Sequence, residues 1–246
     1  MKAIIFDFGG TIDTDGIHWS VKFLDVYRSS GIVIPEKVFR NAYVMAERDM
    51  AGKLMENTGF LETLNRQISF QLKHLVEDYN CRFYDKLPQI ADDLSIKCYK
   101  EVKNNIGLIH DTLRHLSEKY TLGMISNFYG NLVQVLKDLG IHELFSLVMD
   151  SELAGLRKPD SRFYHQLLHK IALKPEDLIM VGDSYENDIV PSKSLGYKTI
   201  WLRGRAWKLP DDYSMADFVI GSLTEVESAV EIMETMSLRK SFLSYM

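Results

Sequence analysis

Cysteine is scarce in this chain: Cys81 and Cys98 are the only two among 246 residues. No further cysteine or histidine stands at zinc-ligand spacing from either one, so we interpret both as reduced, buried thiols. None of the seven histidines falls in a Cys/His pattern with zinc-ligand spacing. The sequence therefore predicts structural or surface roles for the histidines rather than metal binding.

Long hydrophobic runs and an excess of positive charge are also missing, which excludes several partners. No apolar stretch approaches the roughly 20 residues that span a bilayer, so we expect no membrane partner. The formal net charge of −5 offers no general attraction to nucleic acid or to an anionic membrane surface. The sequence opens directly on an apolar segment without signal-peptide features, and we expect a cytoplasmic location.

The stretch around which the chain is organised is its beginning. Residues 3–6 (AIIF) form a short apolar run without polar alternation, which is typical of a strand buried on both faces of a parallel sheet. The run ends at Asp7, and Gly9 and Gly10 follow at once, which frees the backbone to turn sharply. Open α/β sheets place their ligands at the carboxyl ends of strands. We therefore expect the Asp7 carboxylate to be displayed at such an end.

The rest of the chain divides into a helical block and an alternating block. Between Asp15 and Asn105, apolar residues recur at helical spacing, and four helices are expected over residues 18–30, 35–52, 60–76 and 88–96. From Gly107 onward, helical and strand patterns alternate, which favours a doubly wound parallel sheet. We therefore predict an α/β fold, with a Rossmann-like core over residues 1–14 and 106–246 and an inserted helical cap domain over residues 15–105.

Four segments of the predicted core carry polar residues where a strand ends or a helix begins. They are Asp7–Thr11 (DFGGT), Ser126–Asn127, Lys158–Asp160 (KPD) and Gly182–Asp188 (GDSYEND). Helix capping alone would explain Asp183 and Asp188, since both lie near a predicted helix start. Because all four segments can meet at one edge of the sheet, their order instead favours a site for phosphate and a metal ion.

In this order the four segments resemble the motifs of the haloacid dehalogenase superfamily, and the resemblance covers the whole chain. It implies a hydrolase that most often cleaves phosphate esters with Mg²⁺ through an aspartate nucleophile. Here Asp7 would attack phosphorus and form an aspartyl-phosphate that water then cleaves. Ser126 would donate a hydrogen bond to a phosphoryl oxygen, and Lys158 would neutralise both the nucleophile and the transferring group.

The resemblance also implies a set of ligand contacts for a small phosphorylated metabolite and Mg²⁺. The expected phosphate-binding residues are Gly10, Thr11, Ser126, Asn127 and Lys158. The expected Mg²⁺ ligands are Asp7, Asp183, Asp188 and the main-chain carbonyl of Gly9. Elementary electrostatics agrees, because a carboxylate can attack a phosphate dianion only when nearby positive charge cancels their repulsion.

Position 9 departs from the pattern of this superfamily. Its phosphatases usually carry a second aspartate two residues after the nucleophile, where it serves as general acid and base, and this chain has Gly9. Glycine still offers its carbonyl to a metal, but the proton donor is lost, which is typically worth about 10²–10⁴ in rate. Asp13, Asp15 and His18 are the nearest substitutes, although a polar hairpin or helix-capping turn is the interpretation favoured for both carboxylates.

Three functions therefore stay open at this point. The first is a Mg²⁺-dependent phosphohydrolase, and the second is a phosphate-ligand-binding or regulatory module that turns over slowly or not at all. The third is a carbon–halogen or phosphorus–carbon hydrolase. Dehalogenases work without metal, so Asp183 and Asp188 argue against them. Phosphorus–carbon enzymes need a cap lysine, for which Lys53 is the one candidate, although a solvated lysine at a helix end is favoured.

Overall fold

The computed structural model of the protein describes residues 1–79 and 86–243. Its centre is a parallel sheet of six strands in the order β3-β2-β1-β4-β5-β6. The strands are β1 (Ala3–Phe6), β2 (Thr121–Ser126), β3 (Leu147–Asp150), β4 (Leu178–Gly182), β5 (Lys198–Leu202) and β6 (Phe218–Ile220). This sheet, covered by helices, confirms the predicted α/β fold.

Nine helices accompany these strands in the described part of the chain. They are α1 (Trp19–Ser29), α2 (Glu36–Asp49), α3 (Phe60–Tyr79), α4 (Leu87–Lys119), α5 (Leu132–Asp138), α6 (Ser151–Ala154), α7 (Ser161–Ile171), α8 (Val190–Ser194) and α9 (Val226–Leu243). Short helical turns follow two of the strands, at Phe8–Ile12 and Tyr185–Ile189. Within the residues described, no helix is long and apolar enough to cross a membrane.

The first strand lies at the centre of the sheet, where its two neighbours are β2 and β4. All four of its residues are buried. Ile4 and Phe6 pack into the large core that also holds the apolar residues of α1 to α4, while Ala3 and Ile5 pack on the other face against residues of α7. The prediction of a strand buried on both faces is therefore confirmed.

The thiol of Cys98 is free and buried in α4, as predicted. Burial raises its pKa to about 12, so the thiol stays protonated near neutral pH. Cys81, for which the sequence predicted the same state, lies outside the described residues.

The helix α4 corrects one prediction. The sequence pattern indicated separate helices before and after Gly107, whereas the structure has one helix of 33 residues that runs through this position. An exposed glycine costs a helix interior only about 1 kcal/mol, which the buried residues of α4 on either side outweigh. The division into a core and a cap stays a prediction, and its boundary at residues 105–106 falls inside this helix.

The continuity of α4 leads to a stability prediction for Gly107. A β-carbon at this position would have no neighbour within 4 Å, so Gly107→Ala should stabilise the protein by about 0.5–1 kcal/mol through helix propensity alone. Gly140 is the matched control, because its surroundings are equally open but its φ is +73°. Gly140→Ala should destabilise. Chemical denaturation measures both, and a destabilising Gly107→Ala would contradict a continuous helix.

Candidate active site

The site forms where three neighbouring strands end at one edge of the sheet. β1 leads into Asp7, β2 ends at Ser126, and β4 leads into Asp183. Lys158 reaches the same point from the loop before α7, whose first turn is capped by the Asp160 side chain. The observed strand order therefore brings the four polar segments together at one edge of the sheet, as the sequence predicted.

Lys158 lies between two carboxylates at the base of the site. Its Nζ is 2.6 Å from Asp7 Oδ1 and 2.5 Å from Asp188 Oδ1. The Ser126 hydroxyl donates to the same Asp7 oxygen at 2.8 Å. Burial disfavours the charge of Lys158, but Asp188 and Asp7 outweigh that effect and raise its pKa. Lys158 is therefore a fixed positive charge beside the predicted nucleophile.

Negative charge still exceeds positive charge in this cluster. One oxygen from each of Asp7, Asp183 and Asp188 lies within 4.8 Å of the others. Burial raises the pKa of Asp188 to about 7, against the opposing effect of Lys158, and burial together with Asp7 raises the pKa of Asp183. Three carboxylate oxygens around one point are a donor set that suits Mg²⁺, which prefers oxygen ligands and keeps several waters. The residues present therefore fit a divalent cation.

Two glycines allow the carboxylates to approach the backbone. A β-carbon on Gly10, whose φ is +93°, would lie 2.5 Å from the Asp183 carboxylate. A β-carbon on Gly182 would overlap the side chain of Asp188 in the same way. Any larger residue at these two positions would displace a carboxylate of the cluster, which explains why glycine is required there.

The remaining predicted phosphate-binding residues have partners inside the protein. The Gly10 N–H donates to Asp13, and the Thr11 hydroxyl donates to Asp183 at 3.1 Å. The Asn127 amide accepts from the Lys158 N–H at 2.8 Å and donates to the Lys158 carbonyl at 2.9 Å. Direct phosphate contacts of these residues stay a prediction. In the structure these contacts position the turn after β1, the Asp183 carboxylate and Lys158.

The space beside position 9 is taken by an indole ring. A β-carbon on Gly9 would lie 3.7 Å from Trp19 Cδ1, which is ordinary van der Waals contact. The Trp19 N–H donates to Asp13 Oδ2 at 2.6 Å, while Asp13 Oδ1 accepts from Gly10 at 2.8 Å. Asp13 therefore holds the indole beside position 9. Gly9 itself has φ −73° and ψ 112°, a conformation open to any residue.

The proposed substitutes for the missing acid differ in position. Asp13 is buried, with its pKa raised by burial to about 7, and it is committed to Trp19 and Gly10. Asp15 accepts from Leu223 N–H at 2.7 Å and so caps a turn on the far side of the loop. Asp13 and Asp15 thus both have structural roles, which is the interpretation favoured from the sequence. His18 alone of the three lines the cavity over the site, and burial lowers its pKa.

A cavity of about 230 Å³ opens above Asp7 and Lys158. Side chains of α1, α2 and α3 form its upper wall, among them the aromatic residues Trp19, Phe23, Tyr43 and Phe60. Its polar upper residues include Glu47 and Gln67, which no motif in the sequence revealed. Lys53 is not part of the lining and is exposed, which argues against its use as a Schiff-base lysine.

The family model for haloacid dehalogenase-like hydrolases matches residues 1–196. The chain therefore belongs to this family of hydrolases. A glyceraldehyde 3-phosphate phosphatase of Pyrococcus furiosus is 34% identical over 127 residues, which cover 50% of this chain and 51% of that protein. A haloacid dehalogenase-like hydrolase domain-containing protein 3 of Bos taurus is 32% identical over 123 residues, 48% of each chain. The chain thus spans about half the length of the curated relatives it matches.

Solved structures share the fold over nearly the whole chain. The HAD-hydrolase YfnB of Bacillus subtilis, solved with bound magnesium, has a TM-score of 0.56 at 18% identity and covers 94% of this chain and 98% of its own. A haloacid dehalogenase-like family hydrolase of Xanthomonas campestris has a TM-score of 0.59 at 13% identity, with coverage of 97% and 98%. At these identities the likeness shows the fold alone.

The excess of buried carboxylates predicts an unusual pH dependence of stability without metal. Asp183 and Asp188 have folded-state pKa values raised above those of the unfolded chain, and that of Asp188 is about 7. The folded protein binds these protons more tightly than the unfolded chain does. The two groups therefore contribute stability that is complete below about pH 4 and is lost as the pH rises through about 7. Thermal unfolding in chelator should therefore show a falling midpoint between about pH 5 and 8.

Two comparisons make this prediction specific to the carboxylate cluster. Saturating Mg²⁺ should reduce the fall, because a cation replaces the missing positive charge. Asp183→Asn should reduce the fall in chelator, because one buried charge is gone. A midpoint that rises with pH in chelator, or a fall that is unchanged by Asp183→Asn, would contradict the charge balance described above.

Proposed function

We propose that the protein is a Mg²⁺-dependent phosphohydrolase that acts on a small phosphorylated metabolite through an aspartyl-phosphate on Asp7. The observation that carries this proposal is the arrangement of Asp7, Lys158 and Ser126 beside two further carboxylates at the floor of a cavity. The names of the relatives support it, since a glyceraldehyde 3-phosphate phosphatase and, in Thermus thermophilus, a phosphoserine phosphatase are among them.

Each residue has a chemical task in this proposal. Asp7 Oδ2 would attack phosphorus, because its Oδ1 is already engaged by Lys158 and Ser126. Lys158 lowers the repulsion between the carboxylate and the phosphate dianion, and it is fixed in place by Asn127. Asp7, Asp183, Asp188 and the Gly9 carbonyl would hold Mg²⁺. The ion, when bound, supplies further positive charge to the phosphoryl oxygens.

The proton for the leaving group is the weak point of this machinery. Position 9 has no side chain, Asp13 is committed to Trp19 and Gly10, and His18 has a lowered pKa and is neutral at neutral pH. A neutral imidazole is a poor acid, so the leaving alcohol receives little help. We infer that phosphates with good leaving groups are the preferred substrates.

A second candidate function rests on the same feature. Gly9 offers no acid, and Asp13 is held by Trp19 and Gly10, as expected for a module that binds a phosphorylated ligand and turns it over slowly. A dehalogenase is less well supported, because it needs no metal and the site keeps Asp183 and Asp188 beside Asp7. Turnover measurements separate the first two functions.

The proposed chemistry predicts that hydrolysis of 4-nitrophenyl phosphate needs both Mg²⁺ and Asp7. Asp7→Asn keeps the size of the side chain but removes the nucleophilic oxygen, so activity should fall at least about 10³-fold. Asp177→Asn, a change at a carboxylate that pairs with Lys2 at the surface, is the control and should keep full activity. Full activity in excess chelator, or an active Asp7→Asn enzyme, would contradict the proposal.

The absence of an acid predicts a steep dependence of rate on the leaving group. Acyl and aryl phosphates should be cleaved much faster than sugar phosphates, and a plot of log kcat/KM against leaving-group pKa should have a large negative slope. Gly9→Asp should flatten this slope, since a general acid is worth about 10²–10⁴ in rate for poor leaving groups. The backbone at position 9 accepts the change, a β-carbon there meets Trp19 at ordinary contact distance, and the position borders the cavity.

Gly9→Asn is the matched control for this prediction, because it has the size of aspartate without its proton. It should leave the slope unchanged. If the native enzyme already cleaves an alkyl phosphate as fast as an aryl phosphate, the idea of a missing acid is wrong. Binding of phosphate esters with no turnover of any of them would favour the binding module.

A further inference from the structure

The upper wall of the cavity contains a polar cluster that the proposed phosphoryl chemistry does not use. It consists of Glu47 on α2, Gln67 on α3 and Tyr129 in the loop after β2, and all three line the cavity. The Tyr129 hydroxyl lies 2.9 and 3.0 Å from the two Glu47 oxygens, to which it donates. The Gln67 amide nitrogen donates to Glu47 Oε1 at 2.5 Å. The Glu47 carboxylate is thus held in a fixed orientation.

One atom of this cluster has no partner. The Gln67 side chain is 3% exposed, and its carbonyl oxygen is a buried acceptor with no hydrogen-bond donor in the described structure. Among the buried polar atoms of this kind, it is the one whose residue lines the cavity. A buried acceptor without a donor keeps the full cost of its desolvation, and a ligand that brings a donor would remove this cost.

Among the described residues, no ion pair joins the Glu47 carboxylate to a cation either. Its three near neighbours are the neutral side chains of Gln67, Tyr129 and Tyr43, and burial raises its pKa. Arg157, which also lines the cavity, is the opposite charge that lowers the Glu47 pKa, and in the described structure it makes no hydrogen bond or ion pair with Glu47. Glu47 and Gln67 together therefore present acceptors and little positive charge to the upper part of the cavity.

We propose that Glu47 and the Gln67 carbonyl form the leaving-group subsite, and that it selects phosphate monoesters whose leaving group carries a hydrogen-bond donor, either an ammonium or a hydroxyl group. This inference rests on the proposed function, because it places the phosphoryl group at Asp7 and Lys158. The aromatic side chains of Tyr43 and Phe60 would cover the carbon skeleton between the two ends. Simple alkyl phosphates would leave both acceptors unpaired and bind less tightly.

Binding of three phosphonates of equal length tests the proposal without any chemical step. They are 3-aminopropylphosphonate, 3-hydroxypropylphosphonate and butylphosphonate, each measured by calorimetry on the full chain with saturating Mg²⁺. At least one donor-bearing compound should bind about 10- to 100-fold more tightly than butylphosphonate, the range expected for a hydrogen bond to a charged group. A preference for the amino compound alone identifies an ammonium group, and a preference for both identifies donors in general.

Variants assign the preference to the two acceptors. Glu47→Gln should reduce the preference for the amino compound to within a few-fold, and Gln67→Met should reduce the preference for every donor-bearing compound that the native protein favours. Glu62→Gln is the control, because Glu62 is an exposed carboxylate on the same helix as Gln67 and pairs with Arg66. It should leave the order of binding unchanged.

The outcomes separate this subsite from the proposed function. If butylphosphonate binds as tightly as the other two, or if neither Glu47→Gln nor Gln67→Met changes the order, the subsite proposal is wrong and the phosphohydrolase proposal is untouched. If each variant weakens all three compounds equally, the cluster has a structural role only, which also overturns the proposal. Failure of all three phosphonates and of inorganic phosphate to bind with Mg²⁺ would overturn both proposals.

Discussion

The whole site depends on one buried ammonium group between two carboxylates. Lys158 can remain charged at the carboxyl edge of the sheet because Asp7 and Asp188 both lie within 2.6 Å of its nitrogen. The backbone serves this contact: β1 and β4 end side by side, Gly182 admits the Asp188 side chain, and Asn127 fixes the lysine main chain. Removal of the lysine would leave two buried carboxylates without a positive partner, which is far more costly than a lost surface pair.

The same contact explains why the site can bind a cation and carries an excess of negative charge without one. Lys158 is a single charge shared by two carboxylates, and Asp183 adds a third on the other side of the loop. Because the chain holds this excess in place with rigid strand ends and tight glycine turns, little rearrangement is needed when positive charge arrives. Such preorganisation is the main means by which a protein stabilises developing charge.

The α/β fold and the meeting of the four polar segments at one sheet edge could be predicted from the sequence, because both depend on local patterns. Short apolar runs that end in polar or glycine residues, at Asp7, Ser126 and Gly182–Asp188, can be recognised in the sequence alone. The break expected at Gly107 was wrong, since burial along α4 outweighs the low helix propensity of one residue. Glu47 and Gln67 could not be found, because a polar residue on an amphipathic helix looks the same whether it faces solvent or a cavity.

Trp19 connects the turn at position 9 with the aromatic packing of Phe23 and Phe60. The indole is held by Asp13 and would lie 3.7 Å from a β-carbon at position 9. With the indole removed, Asp13 loses a donor while it stays buried beside Asp7, and the aromatic packing of Trp19 on Phe23 and Phe60 is lost. A substitution of Trp19 would therefore act at once on the packing of α1 and on the charge balance beside Asp7, and a lower activity of such a variant would reflect both effects.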